Sequence, residues 1–261
     1  MEGPAATIAL VLAETAAGGT ALLWLGGLWG EVRRGFFVLT GLAALACALL
    51  ATLSASSATE VPVSDAARLA VILSAVTSAA LGLSVAALIL RLDSAGRVLG
   101  LLAVPAAVAM LAGFAGAAPS GFVPSFLQLL AGAAFLGAVL DGLLLGHWYL
   151  TDRRLPRDHI RRLSMVLLVA VGLEAASVAA LGLGTPEPAD VSGFSPILGV
   201  AGLTGWLALG MVVCTALIAV LIRASLRGES PRAVQGATGF FYLAVITALT
   251  AEMAAKIGFL G

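Results

Sequence analysis

FFVLTGLAALACALLATLSAS, residues 36–56, is an apolar stretch of the sequence that contains no charged side chain. At 1.5 Å of rise per residue, a helix of this length crosses the hydrocarbon core of a bilayer, about 30 Å. Backbone amides find no water in lipid, so a span must be a helix or part of a closed barrel. Barrel strands alternate apolar and polar residues, which this stretch does not. It therefore predicts a transmembrane helix.

The same pattern recurs along the chain, which has 261 residues, 61% of them hydrophobic and 11% charged. Soluble domains carry roughly 25% charged residues. We predict an all-α polytopic bundle of about eight helices, packed closely because Ala and Gly dominate. Pro105 lies inside the fourth run and predicts a kink there. The apolar runs are 5–29, 36–56, 66–90, 98–116, 122–150, 164–184, 196–222 and 234–259.

The distribution of basic residues predicts the orientation. Of the 14 Lys and Arg residues, two lie on one side of the predicted bundle, Arg68 and Lys256. Basic loops stay in the cytoplasm, so we expect a multi-pass protein of the cytoplasmic membrane with both termini outside. The loops predicted to be cytoplasmic carry Arg33, Arg34, Arg91, Arg97, Arg153, Arg154, Arg157, Arg161, Arg162, Arg223, Arg227 and Arg232.

A weak internal similarity suggests one transmembrane domain built from two parallel four-helix repeats, 1–120 and 121–261. Trp24 and Trp29 precede a pair of arginines at the end of helix 1, and Trp148 and Tyr149 do so at the end of helix 5. An aromatic belt followed by arginines is also typical of any helix that enters the cytoplasm. Because the match is short, we prefer this second interpretation and keep the repeat as an alternative.

Four acidic residues lie inside predicted spans: Glu14, Asp141, Glu174 and Glu252. A charged side chain at the bilayer centre costs about 2.5–3.5 kcal/mol on insertion scales. Four such residues therefore indicate that these acids have a functional role. Their positions along the runs place them at different depths, as a proton or cation pathway requires. The alternative is structural, because a protonated carboxyl can hydrogen-bond to a neighbouring helix.

Lys256 follows Glu252 by four residues, the favourable order for an ion pair on a helix. We expect the lysine to extend to the outer interface. The stretch from Glu252 to Phe259 also resembles the last helix of microbial rhodopsins, in which an acid four residues before a lysine is the counter-ion of a retinal Schiff base. The resemblance implies retinal on Lys256 as a remote alternative. It covers about eight residues, and the span count and helix direction differ from that family.

The end of helix 5 is the most polar stretch near a membrane boundary. The 3.6-residue period puts Asp141, Trp148 and Asp152 on one face. We predict a headgroup, quinone or substrate site at the inner leaflet, with an aromatic belt and basic collar as the alternative. The candidate residues are His147, Trp148, Tyr149, Asp152, Arg153 and Arg154.

No cofactor is predicted. Membrane cytochromes need paired histidines within the bundle, and His147 and His159 lie at its boundary and in the next loop, so we do not expect haem. No ligand set for zinc or another metal is present. Cys47 and Cys214 lie in apolar runs and are expected to be small core residues. The basic residues form no groove-sized patch for nucleic acid.

Three functions follow, in order of preference. The first is proton- or cation-coupled transport through the intramembrane carboxylates. The second is a non-catalytic membrane subunit of an electron-transport complex, with quinone, lipid or other membrane subunits as partners. The third, an enzyme acting on a lipid, is the weakest, and no catalytic residue is assigned. The lipid bilayer is the expected environment for all three.

Overall fold

The computed structural model describes residues 3–59, 64–152, 155–182, 203–228, 231–257 and 259–260. These residues form eight helices, each long and apolar enough to cross a membrane, which confirms the predicted all-α bundle. A π-helical turn, Val178–Gly182, continues α6. The helices are α1 Gly3–Leu25, α2 Arg34–Ser57, α3 Asp65–Ile89, α4 Asp93–Ala117, α5 Phe122–Thr151, α6 Asp158–Ser177, α7 Leu203–Ser225 and α8 Pro231–Ala255.

Several helix boundaries differ from the predicted runs by a few residues, and two of them have clear local reasons. Helix α1 ends at Leu25 and not at residue 29, because Gly27 takes a left-handed conformation with φ of 70°. Such a glycine is a common helix terminator. Helix α6 begins at Asp158, before the apolar run at 164, since its first turn is polar and lies at the bundle end. The predicted start of the seventh run, 196–202, lies outside the described residues.

In the second half of α2, small side chains face inward and large ones outward. Ala44, Ala48 and Ala51 on α2 are fully buried. Leu50 and Leu53 on the same helix are 52% and 65% exposed. This arrangement suits lipid, because the exposed leucines lose nothing in an apolar solvent while small residues allow the helix backbones to pack closely.

Helices α1 and α5 form the centre of the bundle. Within their apolar windows 72% and 67% of the residues are buried, against 33–44% in the other six helices. Gly18 of α1 lies directly against Ala133 and Gly137 of α5, so close that a Cβ atom at position 18 would overlap the α5 backbone. Glycine is therefore required at this crossing.

The three remaining helices of each half are arranged around this central pair in the same order. Helix α1 contacts α2 and α4, and α3 contacts both of those helices. Likewise α5 contacts α6 and α8, and α7 contacts both of those. This matching set of neighbours is compatible with the predicted repeat of 1–120 and 121–261, which stays a prediction.

The loops that follow α1, α3, α5 and α7 meet at one end of the bundle, which we call the arginine-rich end. Arg33 after α1 pairs with Asp152 after α5, at 3.0 Å. Arg34 pairs with Asp93 at the start of α4, at 3.3 Å. The guanidinium of Arg157 donates to the Gly228 carbonyl after α7, at 3.0 Å. The described arginines of these loops thus lie at one end of the bundle, and which side of a membrane that end occupies stays a prediction.

Candidate functional site

A buried ion cluster joins the first and last helices. The Nζ atom of Lys256 lies 2.9 Å from Oε1 of Glu14 and 3.2 Å from Oε2 of Glu252. All three side chains have an exposed fraction of 0%. The predicted ion pair between Glu252 and Lys256 is therefore present, and Glu14 joins it from a different helix. We call this group, together with Glu174, the charge cluster.

Lys256 does not extend to the interface as expected. It lies just beyond the last residue of α8, where its backbone N–H donates to the Glu252 carbonyl at 3.0 Å and continues the helical turn. Thr7 of α1 donates its hydroxyl to the Lys256 carbonyl at 3.4 Å. The ammonium also lies 5.5 Å from the centre of the Phe259 ring, within range of a cation–π contact. The ammonium thus contacts two carboxyl groups and an aromatic ring, where the sequence predicted contact with water.

Glu174 of α6 is the fourth member of the charge cluster. Its side chain is completely buried and lies near Glu252 and Lys256, within the range of electrostatic interaction. The helix changes to π-helical geometry four residues later, at Val178. Single π-helical turns are frequent at functional sites, because they reposition side chains relative to a regular α-helix.

Gly132 of α5 creates space for the Glu14 side chain. Gly132 faces its carboxyl group so closely that any side chain at position 132 would overlap it. One wall of the charge cluster is therefore backbone, and a substitution at this glycine acts directly on a charged group. Helices α1, α5, α6 and α8 together enclose the charge cluster.

Asp141, the fourth predicted intramembrane acid, lies apart from the other three. It follows Gly132 by nine residues on α5, which is about 13 Å along the helix axis. Its carboxyl faces Gly19 of α1, at which a Cβ atom would lie 3.6 Å from Oδ1. It is fully buried and has no hydrogen-bond partner among the described residues. The predicted arrangement of four acids at successive depths is thus replaced by three acids together and one alone.

The predicted inner-leaflet residues are dispersed. The His147 side chain is exposed, Trp148 packs edge-on against Phe36 at 6.3 Å between ring centres, and the Tyr149 hydroxyl donates to the Pro156 carbonyl. Asp152 pairs with Arg33 in the α1–α2 loop. Arg153 and Arg154 lie outside the described residues. A ligand site around His147 stays a prediction.

His159, which the sequence placed in a loop, lies instead in the first turn of α6 and is 3% exposed. Its Nε2 atom is 3.0 Å from Oε2 of Glu31, and Arg162 approaches the same oxygen to 3.9 Å. A cavity of about 50 Å³ adjoins His159 and Arg162. No sequence pattern near His159 could predict this contact, because Glu31 lies far away in the sequence, in the loop between α1 and α2.

Within the described residues, no group of three His, Cys, Asp or Glu side chains is arranged to hold a metal ion. In the charge cluster the ammonium of Lys256 occupies the position between two carboxylates that a bound cation would take. Chemically, the charge cluster can hold or release protons on its three carboxyl groups, next to the positive charge of Lys256.

Comparison of the chain with protein-family models, with curated proteins and with solved structures found no match.

Proposed function

We propose that this chain is a proton-translocating membrane protein in which the charge cluster holds the transported proton. The observation that carries the proposal is the contact of two buried carboxyl groups, from α1 and α8, with one buried lysine, near a third buried carboxyl group on α6. Intramembrane ionisable residues are expensive, and where they meet one another they are typical of proton and ion pathways.

Charge balance supports protons as the species carried. If Glu14, Glu174 and Glu252 were all ionised, Lys256 would leave two negative charges uncompensated inside the bundle. Uncompensated buried charge costs several kcal/mol for each ion. The charge cluster therefore avoids this cost by holding protons on its carboxyl groups, and it changes its net charge each time one proton enters or leaves.

Asp141 provides a second proton-holding position in this proposal. Along α5 it lies about 13 Å from Gly132, the residue that contacts Glu14, in the direction of the arginine-rich end. A proton cannot pass over this distance in one transfer, so water molecules or a helix movement must connect the two positions. In this proposal the path runs along the α1–α5 crossing, where Gly18 and Gly19 of α1 lie close to α5.

The test is proton uptake into proteoliposomes that contain the purified protein, driven by a potassium diffusion potential and followed with a pH-sensitive dye inside the vesicles. Wild-type protein is expected to accelerate uptake over protein-free vesicles, and Glu174→Gln is expected to abolish the acceleration. Asp65→Asn, at the exposed start of α3, is the matched control and should behave as wild type. Equal uptake with and without wild-type protein would overturn the proposal.

A second candidate is a non-catalytic membrane subunit of an electron-transport complex. The observation that favours it is the zero exposed fraction of every carboxyl in the charge cluster, as expected of a charge group that only fixes helices in register. In that case Glu174→Gln would change neither proton uptake nor assembly, and gentle purification from the native membrane would recover the chain with other subunits.

Retinal on Lys256 remains the remote alternative. The amine lies between two carboxylates at 2.9 and 3.2 Å, as an ammonium ion or a protonated Schiff base would. Addition of retinal to the purified protein distinguishes these states, because a Schiff base on this residue gives a visible absorbance band that Lys256→Met removes. We expect no such band.

A further inference from the structure

A groove at the arginine-rich end lies between the start of α6 and the end of α7. Its volume is about 330 Å³. It is separate from the charge cluster and from the predicted residues around His147. The groove is lined by Arg161, Ser164, Arg223, Leu226 and Arg227.

Hydrogen bonds between the two helix ends hold the walls of the groove in place. The Arg161 guanidinium donates to the Leu226 carbonyl at 3.3 Å, and its own carbonyl accepts from the buried Ser164 hydroxyl at 2.7 Å. Arg157, one residue before α6, donates to the Gly228 carbonyl at 3.0 Å. The beginning of α6 is thereby joined to the chain that follows α7, which keeps three guanidinium groups around one space.

The groove carries an excess of positive charge. Among the described residues, Asp158 is the acid that approaches these arginines, at 4.0 Å from Arg161. Arg223 and Arg227 form no ion pair with a described residue. Three like charges around one space repel each other, so a bound anion stabilises the arrangement.

We propose that this groove binds a phosphate group. The planar guanidinium presents two parallel N–H donors that match phosphate oxygens, and several arginines around one space are typical of phosphate recognition. The apolar side chain of Leu226 and the position at a helix-bundle end suit the headgroup of an anionic phospholipid. Free phosphate shares the same chemistry, and the experiment below distinguishes the two sources.

The test uses the full chain purified in a non-ionic detergent, with phosphatidylglycerol as the probe, phosphatidylcholine as the zwitterionic comparison and inorganic phosphate as the competitor. Native mass spectrometry measures the fraction of protein that carries a lipid adduct. Wild type is expected to bind phosphatidylglycerol saturably and more tightly than phosphatidylcholine. Loss of two charge-assisted contacts in R223Q/R227Q should weaken binding at least about tenfold. R223K/R227K, which keeps the charge but not the paired donors, should be intermediate.

The control is R34Q/R91Q, which removes two positive charges from the same end of the bundle but not from the groove. It should bind phosphatidylglycerol as wild type does. If inorganic phosphate displaces the lipid, the site recognises the phosphate itself; if it does not, the lipid is the ligand. Equal binding by wild type and R223Q/R227Q, or an equal loss in R34Q/R91Q, would overturn the proposal, since binding would then reflect the general charge of this face.

Discussion

The Nζ atom of Lys256 lies 2.9 Å from Oε1 of Glu14, so an ion pair with no exposed atom joins α1 to the end of α8. Glu252 lies on the other side of the same ammonium at 3.2 Å. Breaking one side of a buried pair leaves an uncompensated charge, whereas removal of both partners leaves none. The interaction between the two residues can therefore be measured by comparing the stability of the single variants with that of the double variant.

Lys256→Met and Glu14→Gln are each expected to destabilise the protein, Lys256→Met by about 3 kcal/mol, as for other broken buried pairs. The double variant should be more stable than the sum of the two losses predicts, because the charges disappear together. Reversible unfolding in mixed micelles measures the free energies. Strictly additive losses would show that the two residues do not act as a pair.

The sequence predicted the spans and one half of the charge cluster. The length and composition of residues 36–56 predicted a helix. The four-residue spacing of Glu252 and Lys256 predicted that their side chains are close at the end of α8. The approach of Glu14 could not be predicted, because it depends on how the first helix packs against the last. For the same reason Lys256 was expected at the interface: without knowledge of Glu14, water was its best available partner. His159 and Glu31 illustrate the same limit, since His159 lies in the first turn of α6 and Glu31 in the loop after α1.

Gly18→Ala is expected to destabilise the protein by about 2 kcal/mol or more, because the added methyl group overlaps the backbone of Ala133 and α1 must move away from α5. Gly172→Ala on α6 is the matched control, since a Cβ atom there meets nothing within 4 Å. Both variants raise helix propensity equally. Thermal unfolding in detergent compares them, and equal stability would contradict the close crossing of the two central helices.

The orientation of the bundle is tested with single cysteines in a background that lacks the native ones (Cys47→Ala and Cys214→Ala). Ser56 at the end of α2 and Ser94 at the start of α4 are both exposed and lie at opposite ends of the bundle. From the positive-inside rule, a membrane-impermeant maleimide should label Ser56→Cys in intact cells and Ser94→Cys after lysis. The reverse pattern would place the arginine-rich end outside.

The charge cluster also predicts a proton count. With Lys256 present, two of the three carboxyls must be protonated for the charge cluster to be neutral; with Lys256→Met, all three must be. Infrared spectroscopy distinguishes protonated carboxyl groups from carboxylates, so the variant should gain intensity in the carboxylic acid band by one group. Glu174→Gln should lose one group instead, because Lys256 still balances one carboxylate shared by Glu14 and Glu252, and the other of these two acids stays protonated. Asp65→Asn serves as the control and leaves the band unchanged. An unaltered band in Lys256→Met would mean that another positive charge compensates the carboxylates, and the role of the lysine as the built-in cation would be wrong.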